Sequence, residues 1–331
     1  MRIGIVGSGS WGTALGQVLA DNGHSVLIYG VAQSEVDDIQ NNHRNARYFA
    51  DTPIHHAIGA TTDVSRLQDY SDAILLAAPT KFFADVLEKV KPYLQESTII
   101  INVAKGFSWD TDERLSVYIR EKLANVLYRG VVSLIGPSHA EEVVLRKLTA
   151  VCAVSNDGAI AEIVQHLFSN HYLRVYTLKD EVGAEYGVAM KNVIAIASGI
   201  LEGLGYGDNA KAALITRGLR EMVRYGVAKG GKEDTFFGLT GVGDLIVTCF
   251  SPHSRNYRAG LAIGRANSAS GAGEGSETVE GLHSCLTIYR DAEKMQIDMP
   301  IVSAIYHILY EGVEPRLATE QLMQRPLKPE M

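Results

Sequence analysis

Lys191 is the first residue that asks for a chemical explanation. It is the one lysine inside "EVGAEYGVAMKNVIAIASGILEGL", a stretch of helical period in which no acid stands three or four residues from it to hold it as a surface pair. Ala184, Gly187, Ala195 and Ser198 recur around it at turn spacing. Small residues beside a long cation leave space above it, so Lys191, with Asn192 next to it, suits a cleft where a lysine donates and accepts protons. A lysine snorkelling at a helix edge is the plainer alternative. Asp244, just after Gly241 and Gly243, is an acid that can pair with such a lysine. The stretch "GDLIVTCFSPHSRN" at 243–256 reads as an apolar, strand-like run entering a loop that presents Ser254, Arg255 and Asn256 where a helix begins. A hydroxyl, a guanidinium fork and an amide in succession at a helix start suit an anion such as phosphate. An ordinary turn is the alternative.

A second set of residues lies at the other end of the chain. "RIGIVGSGSWGTALGQVLADNGHSVLIYG" joins a β-branched run, glycines at Gly7, Gly9 and Gly12, a helical stretch and a second strand at 25–29. In that context a GxGxxG spacing lets the backbone approach a dinucleotide pyrophosphate at the positive end of a helix, with Ser10 and Trp11 against the cofactor. An acid about 20 residues further on would take the ribose hydroxyls of NAD, and an arginine would take the 2′-phosphate of NADP. The chain offers Gly30, Val31, Ala32 and Gln33, which decides neither.

These residues need elements to position them. "DAILLAA" at 72–78, "STIIIN" at 97–102 and the run 131–135 read as buried parallel strands, with helical period over 81–93 and 114–127. Alternating strands and helices imply a doubly wound sheet with right-handed crossovers, whose ligands lie beyond the carboxyl ends of the strands. The loops 78–81, 102–107 and 135–142 leave those ends and carry Lys105, Gly136 and Ser138. From about Glu181 helical patterns take over, notably over 182–203, 209–228 and 279–295. The expected fold is therefore α/β, an N-terminal doubly wound Rossmann-type sheet at 1–180 followed by an all-α C-terminal domain at 181–331.

Composition limits the possible partners. The 331 residues are enough for two cores, and 46% hydrophobic with 21% charged residues is a globular profile. A net charge of -7 argues against a basic nucleic-acid surface. Cys152, Cys249 and Cys285 are widely separated among apolar neighbours, which points to core packing rather than a disulfide framework or zinc site. The ten histidines show no HExxH spacing, so no metal is expected. Met1-Arg2 runs straight into Ile3-Gly4-Ile5-Val6, and no apolar run approaches the ~20 residues of a membrane span, so neither a leader nor an integral membrane segment is expected. A cytoplasmic protein follows. "NSASGAGEGSE" at 267–277 reads as a mobile glycine- and serine-rich loop.

Taken together, "GSGSWGTALG", "AKGF", "GPSHAEEV", "KNVIAIASGI", "TRGLREM", "GLTGVGDLIVTC", "SRNYRAG", "MPIVSAIYHILYEG" and "RPLKPE" occur in an order that resembles, end to end, the bacterial soluble NAD(P)-dependent glycerol-3-phosphate dehydrogenases. The resemblance implies interconversion of dihydroxyacetone phosphate and sn-glycerol 3-phosphate by hydride transfer, feeding glycerophospholipid synthesis. It places the proton donor and acceptor at Lys191, with Asp244 holding it and Lys105 adding positive charge near the oxygen. Substrate contacts fall on Lys105, Gly136, Ser138, Lys191, Asp244, Ser254, Arg255 and Asn256. Cofactor contacts fall on Ser10, Trp11, Lys105, Ala140, Arg255 and Glu280, beside the glycines at 7, 9 and 12. Val31 departs from the arginine or histidine that many members carry there, so NAD(H) and NADP(H) both stay open. Arg44 or Arg47 could compensate. A two-domain hydroxy-acid dehydrogenase and a non-catalytic NAD(P)H sensor are the rival readings, and a homodimer is the expected assembly.

Overall fold

The computed structural model describes residues 1–271 and 278–330 and divides into two compact units, Met1–Glu185 and Tyr186–Met331. The glycine- and serine-rich loop read at 267–277 lies, from 272 on, outside the described residues.

The first unit is built on eight strands, β1 (Arg2–Val6), β2 (Ser25–Tyr29), β3 (Ile58–Thr61), β4 (Ala73–Leu76), β5 (Ile99–Asn102), β6 (Gly130–Ile135), β7 (Thr149–Val154) and β8 (Leu173–Leu178). They lie in the order β3-β2-β1-β4-β5-β6-β7-β8, parallel throughout except where β7 runs antiparallel to β6. The helices are α1 (Ser10–Asp21), α2 (Gln33–Asn42), α3 (Ala46–Phe49), α4 (Phe83–Val90), α5 (Leu115–Lys122), α6 (Ala140–Val143), α7 (Gly158–Phe168) and the start of α8 (Glu181–Gly203). The apolar runs of the central strands are explained by burial on both faces. Ile99 and Ile101 enter one core layer with Leu15, Val18 and Leu19 of α1, whereas Ile100 enters the other with Leu87 of α4 and Ile119 of α5. This is the doubly wound arrangement expected, with two reversed strands, β7 and β8, that periodicity did not reveal.

The first turns of α8 are tied down by carboxylates. Glu181 takes both ends of the Arg120 guanidinium at 2.9 and 2.6 Å, and Glu185 accepts from Arg114 at 2.8 Å and from the amide and hydroxyl of Ser116 at 2.9 and 2.7 Å. Burial pushes the Glu185 carboxyl up from its ordinary value, with Arg114 pulling the other way.

The second unit is helical over its described residues. It holds the rest of α8, then α9 (Asp208–Ala228), α10 (Glu233–Phe236), α11 (Asp244–Phe250), α12 (Arg255–Ala266), α13 (Glu280–Met295), α14 (Pro300–Tyr310) and α15 (Pro315–Met323). The strand-like reading of 243–250 is corrected here. Asp244, Leu245, Thr248 and Cys249 are buried, a spacing that marks one face of a helix, and one π turn at Leu239–Gly243 leads into it. Seven residues with three β-branched side chains carry too little periodicity to separate the two outcomes.

Glu221 of α9 caps α14 from outside, accepting from the amides of Ile301 and Val302 at 2.7 and 3.1 Å. Burial pushes its carboxyl up to about 7, outweighing those two amide bonds, which favour the carboxylate. A folded pKa above the unfolded one means that Glu221 contributes stability at low pH and loses it as pH rises through about 7. The unfolding midpoint is therefore expected to fall between about pH 5 and about pH 8, and Glu221→Gln to flatten that slope. A thermal melt series across the interval checks both; an unchanged slope in the variant would remove Glu221 as its source.

Candidate active site

In the first unit the glycine turn closes against the end of β1. Gly7 has φ +123°, and a Cβ on Gly12 would sit 2.2 Å from the Gly7 carbonyl oxygen, so neither position admits a side chain. Gly9 stands at the N-cap of α1 with no side-chain cap, and the first turn, Ser10-Trp11-Gly12, carries no acid. Its amides are left to an anion. The indole Nε1 of Trp11 is buried yet bonds to nothing among the described residues. An uncapped helix start, a turn that excludes side chains and an orphaned donor together fit a dinucleotide.

Lys105 and Gly136 meet beyond the ends of β5 and β6, where the Lys105 ammonium donates to the Gly136 carbonyl at 3.1 Å. The Ser138 hydroxyl donates to the same carbonyl at 3.0 Å. The loop before Lys105 is shaped by Asn102, whose Oδ1 accepts the Ala104 amide at 3.1 Å. Ala140 is buried as the first residue of α6.

In the second unit Lys191 and Asp244 form a buried ion pair. The Lys191 Nζ lies 2.7 Å from Asp244 Oδ1, with the two side chains 5% and 1% exposed. Removing both charges from water is costly, so the pair holds only with good geometry and further hydrogen bonds. Thr248, one turn after Asp244, supplies one such bond, taking the ammonium on its hydroxyl at 2.7 Å while donating to the Asp244 carbonyl at 2.6 Å. Cys249 is its neighbour, and burial pushes that thiol up to about 12 although Lys191 pulls it down. A thiol so placed stays protonated and unreactive. All three cysteines are buried and unbridged.

Ser254 is the N-cap of α12, its hydroxyl oxygen accepting the Tyr257 amide at 3.2 Å. Arg255 follows as the first helical residue, exposed, with no hydrogen bond or ion pair among the described residues. Asn256 is buried, and its Oδ1 accepts the Gly281 amide at 2.9 Å, which fixes the start of α13, where Glu280 stands, against α12.

The packing of α8 against α12 brings these groups onto neighbouring helices. A Cβ on Gly199 or Gly203 would meet the backbone of α12 at 2.1 and 2.5 Å, and one on Gly260 or Gly264 would meet the backbone of α8 at 2.0 and 2.3 Å. Two small-xxx-small faces thus press backbone to backbone, as close helix contacts require.

Sequence reasoning missed three polar residues. Thr248 was hidden in an apolar run read as strand-like. Asn45 is buried before α3, where its Nδ2 donates to the Ser8 carbonyl at 2.8 Å and to Thr13 Oγ1 at 2.9 Å, holding the glycine turn from 32 or more residues away. Glu35, in the first turn of α2, accepts the Ser8 hydroxyl at 2.5 Å and the Arg47 guanidinium. An acid in the helix after β2 was the available signal for Glu35; no local signal marks Asn45.

The chain matches two family models, the N-terminus of NAD-dependent glycerol-3-phosphate dehydrogenase over residues 2–161 and its C-terminus over 180–320. It is 45% identical to the NAD(P)+ glycerol-3-phosphate dehydrogenase of Exiguobacterium sp., over 100% of this chain and 97% of that one. The Bacillus velezensis enzyme of the same name is also 45% identical, over 100% of this chain and 96% of its own. The crystal structure of glycerol-3-phosphate dehydrogenase from Coxiella burnetii superposes with a TM-score of 0.88 at 35% identity, covering 98% of each chain.

Proposed function

Because this chain belongs to the NAD-dependent glycerol-3-phosphate dehydrogenase family, we propose that Lys191 is the proton donor and acceptor of its reaction and that Asp244 and Thr248 hold the ammonium in place. The chain is an NAD(P)-dependent oxidoreductase that interconverts dihydroxyacetone phosphate and sn-glycerol 3-phosphate. The hydroxy-acid and sensor readings are not favoured by relatives of this name.

The reduced nicotinamide, when bound, supplies the hydride. Gly7, Gly9, Ser10, Trp11 and Gly12 hold the dinucleotide, with Ala140, Arg255 and Glu280 as further contacts. Lys191 gives its proton to the alkoxide forming at the former ketone oxygen and, in the oxidative direction, takes it from the hydroxyl. Lys105 places a second positive charge near that oxygen, a stabilisation of the kind commonly worth roughly a hundredfold or more in rate. Ser138 and the Gly136 backbone position the substrate beside it. Arg255, with Ser254 and Asn256, takes the substrate phosphate at the start of α12, where the helix dipole favours an anion. The observation that carries these roles is the buried ammonium 2.7 Å from Asp244.

The testing experiment follows loss of reduced-nicotinamide absorbance with dihydroxyacetone phosphate, using NADH and NADPH separately and unphosphorylated dihydroxyacetone as control. Oxidation that depends on the phosphate supports the reading; none with either coenzyme defeats it. Arg255→Ala is expected to raise the KM for the phosphorylated ketone roughly 10- to 100-fold, the range for a lost charge-assisted bond. An unchanged KM takes Arg255 out of phosphate binding. The proposal extends to a cytoplasmic homodimer that supplies glycerophospholipid synthesis. Among the described residues no single helix is long and apolar enough to cross a membrane, and the mass of the native protein in solution tests the assembly.

A further inference from the structure

We infer that Glu35 selects NADH over NADPH, by offering a carboxylate to the adenosine ribose where a 2′-phosphate would have to sit. The inference deepens the dehydrogenase reading and rests on it. In sheets of this kind the residue that meets the adenosine ribose stands at the end of the second strand, an acid accepting from the hydroxyls of NAD or an arginine taking the phosphate of NADP. Here β2 ends at Tyr29 and is followed by Gly30 and by Val31, which is 80% exposed and uncharged. A Cβ on Gly30 would strike the Ser8 hydroxyl at 2.6 Å, so the strand end has no room for a side chain of its own.

Glu35 fills that role from the next helix. Its carboxylate is 8% exposed and reaches back to Ser8, inside the glycine turn, at 2.5 Å. The other oxygen takes the Arg47 guanidinium. An ionised carboxylate has about four lone-pair sites, so these two bonds leave capacity to accept from a ribose diol.

The neighbouring charge argues in the same direction. Arg44 is paired with Asp38 at 2.8 Å and Asp51 at 3.5 Å, and Arg47 with Glu35, so two arginines face three acids. A phosphate carrying close to two negative charges would meet a buried carboxylate with no surplus cation, and a like charge in partial burial disfavours it.

The test titrates the full chain with NADH and with NADPH, without ketone, by calorimetry, and repeats the titrations on Glu35→Gln and Arg47→Gln. The parent chain is expected to bind NADH at least about tenfold more tightly, a difference of ~1.4 kcal/mol. Glu35→Gln is expected to narrow the ratio, chiefly by tightening NADPH. Arg47 is 65% exposed, and a thermal melt matching the parent's checks that its variant keeps the fold; by stripping Glu35 of its counter-charge it is expected to widen the ratio. Tighter NADPH binding by the parent chain, or a ratio unmoved by Glu35→Gln in a variant that melts like the parent, overturns the inference. So does a selective loss of NADPH affinity in Arg47→Gln, which would make Arg47 the phosphate ligand. Turnover with dihydroxyacetone phosphate is read separately, so a failure of the dehydrogenase reading leaves the binding ratio to stand or fall by itself.

Discussion

Lys191→Met lowers kcat by roughly a hundredfold to ten-thousandfold, the range for removal of a general acid and base, while coenzyme titration of the variant gives the parent affinity. Methionine keeps the length and removes the charge, so the loss reports proton transfer rather than packing. The same change leaves Asp244 buried without its cation, and breaking a buried pair in this way costs about 3–5 kcal/mol. A control is therefore needed for a fold defect. In Lys191→Met/Asp244→Asn both charges are gone, and stability is expected to recover most of that loss while kcat stays down. Two measurements decide it, a denaturant melt and a single-turnover rate. Recovery of rate with recovery of stability would make the pair structural, and turnover preserved in the single variant would remove Lys191 from the mechanism.

The residues behind that prediction were unequally visible in the sequence. Lys191 stood out because a lone cation among small residues contradicts the surface pattern of a helix. The glycine turn stood out because its three glycines follow a strand and open a helix. Thr248 could not be seen, since its role depends on the turn geometry of α11, and Leu245-Ile246-Val247-Thr248 favours strand by local composition. Packing overrode that preference, burying Leu245 and Thr248 on one face. The strands β3, β7 and β8 escaped for a related reason. β3 has four residues including a glycine, and β8 alternates buried and exposed positions for only part of its length. Glu35 stands two residues beyond Gln33, past the strand end where a ribose ligand is expected, and only the fold shows its carboxylate returning to Ser8.

Gly260→Ala is the change expected to separate the two units' work most sharply. The added methyl would lie 2.0 Å from the Ile196 carbonyl oxygen, a backbone atom that no rotamer change can move. Relief requires α12 to shift away from α8, and overpacking of this kind costs typically about 1–3 kcal/mol and occasionally more. The two glycines opposite, Gly199 and Gly203, approach α12 as closely, so the contact is tight from both sides and absorbs little of the strain. Arg255 and Asn256 open α12 five and four residues before Gly260, and Lys191 stands on α8 five residues before Ile196. A shift of one helix therefore moves the arginine relative to the ammonium, and misplacement by about 1 Å can cost roughly a hundredfold in rate. The glycine turn, α1 and β1 lie in the other unit and have no part in this contact. The variant is thus expected to melt several degrees lower and to lose at least about tenfold in kcat/KM for the phosphorylated ketone, with a smaller loss of coenzyme affinity, because of the coenzyme contacts only Arg255 and Glu280 move with α12. Parent-like kcat/KM in Gly260→Ala would mean that the spacing of α8 and α12 does not set the geometry of catalysis.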